Sequence, residues 1–174
     1  MERPDLSGAD APAVLERLYD EHARDLHRYL ARRLDPTTAD DLVAETYLAA
    51  WEHRHRYEPA RATVKSWLYG IATNLLRKHA RSEVRGLRAT AREAARPVVH
   101  DGTEAVAIRV DAQRDLGTAL AELRPEERDV LLLVAWAGLR PAEAAEALNI
   151  DPVTARTRLH RARTALRNHL EPRK

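Results

Sequence analysis

Six residues near the C-terminal end of the chain have the types and spacing to contact a polyanion. Thr154, Arg156, Thr157, Arg158 and Arg161 follow Asp151-Pro152 at helical spacing, and Arg163 comes two residues later. On a helix they fall off the stripe that Val153, Leu159 and Ala162 are expected to bury, so hydroxyls and guanidinia share the exposed side. Arg can bond a guanine edge through two donors and Thr can donate or accept, each good pair contributing about 1–3 kcal/mol of discrimination between bases. Arg163, with Arg167 beyond it, suits phosphates better. Asp at the N-cap and Pro at the first helical position make a sound helix start. Ahead of it, Pro141 to Leu148 reads as a short helix with a small close-packing face (Ala144, Ala145, Leu148), and Asn149-Ile150 reads as the turn. This is helix-turn-helix spacing, in which the second helix presents its N-terminal residues to the major groove. A solvated charged face on an ordinary helical bundle has the same composition, and two-helix turns are commoner than DNA readers.

A second basic block lies upstream. From Arg54 to Arg92 ten basic residues face Glu58 and Glu83, a local net charge of +8, although the whole chain carries only +2. Arg61, Lys65, Arg77, Lys78 and Arg81 belong to it and surround Trp67 and Tyr69. Aromatic rings beside cations are what single-stranded nucleic acid stacks on. A helix end whose cations satisfy its own C-terminal carbonyls, with Trp67 in the core, fits the same residues. Residues 151–174 sum to +5 and residues 101–150 to −5, so two basic faces flank an acidic scaffold. That distribution suggests two contacts with a polyanion. The parts of an enzyme are missing: there is no phosphate-binding glycine loop, no Cys nucleophile, and no His-x-x-x-His or His-Glu-x-x-His pair. His53 and His55, two apart, splay to different faces of a helix. No catalytic residue, metal site or cofactor is expected.

The elements that must position these residues are all helical. The chain has 174 residues, 44% apolar and 32% charged, with no Phe and no Cys, so packing of Leu, Val, Ala, Ile, Trp and Tyr must hold it without disulfides. Its longest apolar run, Val130 to Leu139, is about half of the roughly 20 residues a membrane span needs, and no basic-then-apolar leader opens the chain. A cytoplasmic protein with no membrane insertion is expected. Residues 11–34 place Leu15, Leu18, Tyr19, His22, Leu26, Tyr29, Leu30 and Leu34 at helical period. Asp35-Pro36 breaks the pattern, and Thr37 or Thr38 is expected to cap a second helix with Asp40 and Asp41 in its first turn. A third helix is expected from Thr63 or Lys65 to about Arg85. From Gly86 to about Glu104 periodicity fails, and a loop that long favours two domains over one. The expected division is residues 11–85, a flexible linker 86–104, and residues 105–170.

Three segments in order then carry a resemblance. Ala39-Asp-Asp-Leu-Val-Ala-Glu-Thr-Tyr-Leu-Ala-Ala-Trp51, Ser66-Trp-Leu-Tyr-Gly-Ile-Ala-Thr-Asn74 and Thr154-Ala-Arg-Thr-Arg-Leu-His-Arg-Ala-Arg163 resemble an extracytoplasmic-function sigma factor of the sigma-70 family over residues 11–170. The resemblance implies a region 2 domain and a region 4 domain. Asp40, Asp41, Leu42 and Glu45 would dock on the β′ clamp of core RNA polymerase. The loop from Arg56 to Lys65 and the helix from Ser66 would open and read the −10 element, Asn74 lying beside a flipped base and Arg77, Lys78 and Arg81 holding phosphates or duplex bases. Thr154, Arg156, Thr157, Arg158 and Arg161 would read the −35 element, with the acidic scaffold on the β flap. An anti-sigma factor is implied as a further partner, by analogy alone. Two positions depart from the family pattern. Arg140 stands where Ser or Thr usually opens the helix-turn-helix, and Val153 stands where Gly is usual. No appended sensory domain is expected after Lys174. A stand-alone helix-turn-helix regulator would need an α/β domain in residues 1–100, where no strand pattern occurs, and a helical adaptor leaves the paired basic blocks unexplained.

Overall fold

The computed structural model of the chain describes residues 4–90 and 116–170, with side chains over 4–80 and 116–169. Among them every regular element is helical, as the periodicity implies. Helix α1 (Ala11–Ala31) starts with a proline in its first turn and buries Val14, Leu18, Leu26, Tyr29 and Leu30. Helix α2 (Pro36–Glu52) is capped by Asp35, whose Oδ1 accepts the Thr38 N–H at 3.0 Å. The expected caps Thr37 and Thr38 therefore lie inside the helix, and Asp40 and Asp41 fall past its first turn. Proline at the first position, with φ preset for a helix, moves the start back to the residue before it.

A 3-10 turn (Arg54–Arg56) leads to helix α3 (Val64–Thr90). Thr63 caps α3, its Oγ1 accepting the Ser66 N–H at 3.1 Å. The helix passes through Gly86, the first residue of the expected linker. One glycine costs about 1 kcal/mol in a helix interior, which neighbouring helix formers can outweigh. Residues 91–104 of the expected linker lie outside the described residues. Helix α4 covers residues 116–122. It is followed by α5 (Pro125–Ala135), α6 (Pro141–Leu148) and α7 (Pro152–Leu170). Gly138, at φ +67°, makes the turn after α5 in a conformation that side-chain-bearing residues resist.

Helices α1, α2 and α3 pack as a bundle around Leu26, Leu30, Leu42, Val43, Tyr47, Leu68, Ala72 and Leu76. Leu42 is only 4% exposed, which removes it from the proposed polymerase surface. A residue at the centre of a bundle core cannot also face a partner. Val130 and Leu131 of α5, Ala145 of α6, and Ala155, Leu159 and Ala162 of α7 form a second core. Helix α5 is apolar on both sides, because Leu132 and Leu133 join the first core together with Ala137, Leu139 and Ala144. A helix with apolar residues on two sides must be covered on both, and α5 is the common wall of both bundles. The bundles also meet where α6 crosses α3: a Cβ added to Gly70 would lie 2.4 Å from the Ala147 carbonyl oxygen.

Candidate nucleic-acid interface

Helix α7 is seated by small residues on its inner side. Ala155 and Ala162 are fully buried and Leu159 is 4% exposed, against partly buried Leu148, Ile150 and Leu166. The Asp151 carboxylate accepts the Val153 N–H at 2.7 Å, the expected N-cap bond. Arg156, Thr157, Arg161 and Arg163 are exposed, while Thr154 and Arg158 are half-buried. Thr157 Oγ1 donates to the Val153 carbonyl one turn earlier at 2.9 Å. Val153, expected to hold α7 in place, is instead 65% exposed. It stands two positions before the buried Ala155 and leaves an apolar group on the same side as Arg156 and Thr157.

Asn149 makes the turn between α6 and α7 at φ 51°, a left-handed conformation that Asn tolerates better than other side-chain-bearing residues. At the other end of α6, Arg140 has no side-chain acceptor to cap the helix, as expected. Glu143 compensates: its carboxylate accepts the Arg140 backbone N–H at 2.7 Å and the guanidinium at 3.0 Å. Burial pushes the Glu143 carboxyl up, but the bonds from Arg140, helped by Lys65, outweigh it and hold the carboxyl below its ordinary value of 4.5. A depressed folded value means that the stabilisation is complete above the ordinary value and is lost as pH falls through the depressed one. Urea midpoints of wild type and Glu143→Gln should therefore differ most at neutral pH and converge as pH falls below the depressed value. A gap that persists in acid would show that the charge contributes nothing.

The upstream basic block forms a second surface. Asn74 and Lys78 are exposed one turn apart on α3, and Lys65 is half-buried with Nζ 5.8 Å from the Tyr69 ring centre. Trp67 is half-buried against Tyr57, ring centres 5.0 Å apart, so it is neither wholly core nor a free platform. The side chain of Arg81 lies outside the described residues. Arg56, Arg61, Trp67 and Asn74 line an open cavity of about 610 Å³. Arg77 is drawn elsewhere: its Nε donates to Asp129 Oδ2 at 2.6 Å. On α2, Asp40, Asp41 and Glu45 are exposed, as is Leu48 at 58%.

Comparison with known proteins decides what these surfaces belong to. The family models described as Sigma-70 region 2 and Sigma-70, region 4 match residues 18–86 and 113–166. The chain is 34% identical over 174 residues to the ECF RNA polymerase sigma factor SigL of Mycobacterium tuberculosis, covering 95% of each chain. The chain belongs to the sigma-70 family. It is an extracytoplasmic-function RNA polymerase sigma factor, the kind of protein that binds core RNA polymerase and directs it to promoters. SigM of Bacillus subtilis, 25% identical over 155 residues, covers 88% of this chain and 93% of its own. The fold is shared with two solved structures. One is the sigma factor RpoE in complex with the anti-sigma factor NepR from Bartonella quintana, with TM-score 0.64, 20% identity, and 92% and 99% of the two chains covered. The other is CnrH in complex with the cytosolic domain of CnrY, with TM-score 0.61, 22% identity, and 94% and 91% covered. Sigma factors are regulatory rather than catalytic. Among the described residues no helix of this one is long and apolar enough to cross a membrane.

Proposed function

We propose that this sigma factor divides its work between residues 11–85 and 105–170, the first contacting the −10 element and the polymerase clamp, the second the −35 element. The observation that carries the assignment is the sidedness of α7: Ala155, Leu159 and Ala162 are buried and Arg156, Thr157, Arg161 and Arg163 exposed. That is what a recognition helix requires. Thr154 and Arg158 flank the reading face, and Val153 adds an apolar group suited to a thymine methyl. On α3, Asn74 addresses an unstacked base and Lys78 a phosphate, with Arg61, Lys65 and Trp67 along the strand's path and Arg81 continuing it. On α2, Asp40, Asp41, Glu45 and Leu48 form an acidic surface with one apolar centre, fitted to a basic partner helix of the polymerase. CnrH was solved with the cytosolic domain of CnrY and RpoE with the anti-sigma factor NepR, and we extend an anti-sigma partner to this chain.

Run-off transcription with sigma-free core polymerase on a genomic promoter library tests this assignment. The wild type should start transcripts at a shared −35/−10 pair. Arg156→Ala and Asn74→Ala should each lower initiation about tenfold, the effect of losing one base contact worth roughly 1–3 kcal/mol. Variants that initiate like wild type would remove those two residues from the interface.

A further inference from the structure

The segment ahead of α1 is irregular yet fixed. Irregular segments flanking a domain are poorly ordered unless something ties them down. Here the Asp5 carboxylate accepts the Ser7 N–H at 2.8 Å and the Ser7 hydroxyl at 2.5 Å, and the Gly8 carbonyl accepts the Ala11 N–H at 3.1 Å. Within this turn Leu6 is buried, only 2% exposed. It belongs to a small third core with Val14 and Leu18 of α1 and with Tyr57 and Val64, against which Trp67 packs. Tyr57 and Val64 bracket the loop 58–63 that joins the 3-10 turn to α3. Between those two anchors Glu58, Ala60 and Arg61 are exposed. Tyr57 Oη donates to the Ala62 carbonyl at 3.1 Å, so the same ring also holds the far side of the loop. Tyr57 thus serves two spaces at once: it lines the cavity shared by Arg61, Trp67 and Asn74, and it is part of the core that contains Leu6. Leu6 is the one buried member of that core supplied neither by α1 nor by the ends of the loop.

We propose that Leu6 is a positioning residue for base capture: by filling this third core it sets both ends of the loop 58–63, and with them the shape of the cavity in which Asn74 meets an unstacked base of the −10 strand. The inference rests on the assignment of that loop and α3 to the −10 element. Buried as it is, Leu6 cannot touch DNA, and its effect passes through Tyr57 and Val64. Close-packed interiors transmit small displacements instead of absorbing them. A binding constellation loses affinity when its supporting groups leave it about 1 Å too loose. Without that support the exposed loop would have to be ordered by the DNA itself, and the ordering entropy would be subtracted from binding.

The experiment titrates holoenzyme, assembled with core polymerase, against fork-junction DNA whose selected −10 element is single-stranded. The −10 strand is either intact or has one base at a time replaced by an abasic site. Wild type should bind the intact strand about tenfold more tightly than the strand lacking the captured base, the share of one base contact. Leu6→Ala should lower that ratio about threefold, the effect of a less preorganised loop, while affinity for core polymerase is unchanged. Leu6→Met, nearly equal in volume, should restore the ratio. Leu30→Ala controls for simple loss of stability: it removes the same atoms from the main core of the same bundle and should leave the ratio at the wild-type value. A wild-type preference that Leu6→Ala keeps in full, or loses no more than Leu30→Ala does, overturns the positioning role and leaves the −10 assignment standing. A wild-type ratio near one at every position removes the assignment, and the role of Leu6 with it.

Discussion

Asp129→Ala is expected to cost about 2–3 kcal/mol of folding stability, read from urea unfolding followed by far-ultraviolet circular dichroism. Removing one partner of a buried ion pair costs about 3–5 kcal/mol because the other charge is left desolvated and unpaired. The lower figure applies because water reaches both partners: Arg33 is 16% exposed and Arg77 33%, against 3% for Asp129. Two guanidinia lose their shared counter-charge at once, and Tyr29 Oη, which accepts from Arg33 at 3.2 Å, cannot replace a carboxylate. Asp129→Asn should fall between, since an amide oxygen still accepts a bond without neutralising the charge. Glu127→Ala, also on α5 but less buried and with no such partners, should change stability by less than about 0.5 kcal/mol. The Asp129 effect should also survive added salt, because a buried pair is screened far less than a surface one. A loss no larger than that of Glu127→Ala would show that the three-residue contact is compensated by solvent.

Asp129 illustrates which parts of the structure were legible in the sequence. The helices were, because apolar residues at 3.6-residue spacing fix an element without reference to its neighbours. The turn before α7 was too, since Asp151-Pro152 carries its own cap. Local periodicity shows which face of a helix is buried, not what covers it. Ala144 and Ala145 read as one small face of α6, yet Ala144 packs into the first core and Ala145 into the second. Asp129 follows Glu126 and Glu127 in the acidic stretch of residues 101–150, and its burial depends on arginines 52 and 96 residues away. The site residues divide the same way. The exposure of Arg156, Thr157 and Arg161 follows from the α7 stripe alone. Val153 differs because a one-residue rotation of a stripe is invisible until the packing partner is known, whereas Leu42 came from the family resemblance and is buried. Arg77 looked like its neighbour Lys78, and only the α3–α5 contact separates them.

Leu133→Ala should cost about 3 kcal/mol, within the 2–5 kcal/mol that removing a buried Leu side chain costs when the cavity cannot collapse. Leu133 is fully buried on the side of α5 that faces α1–α3, whereas Leu131, 7% exposed, faces α7. The two substitutions remove the same atoms from the same helix on opposite sides. If α5 is the common wall of both bundles, Leu133→Ala should speed amide hydrogen exchange in α3 as well as in α5, because the first core contains both. Leu131→Ala should speed exchange in α5, α6 and α7 and leave α1 and α2 at wild-type rates. The loss is a large share of the roughly 5–15 kcal/mol that holds a domain of this size folded, so Leu133→Ala should also lower the melting temperature by several degrees. If Leu133→Ala leaves exchange in α3 unchanged and costs under about 1 kcal/mol, Leu133 does not pack against the first bundle, and α5 is not the wall that the two bundles share.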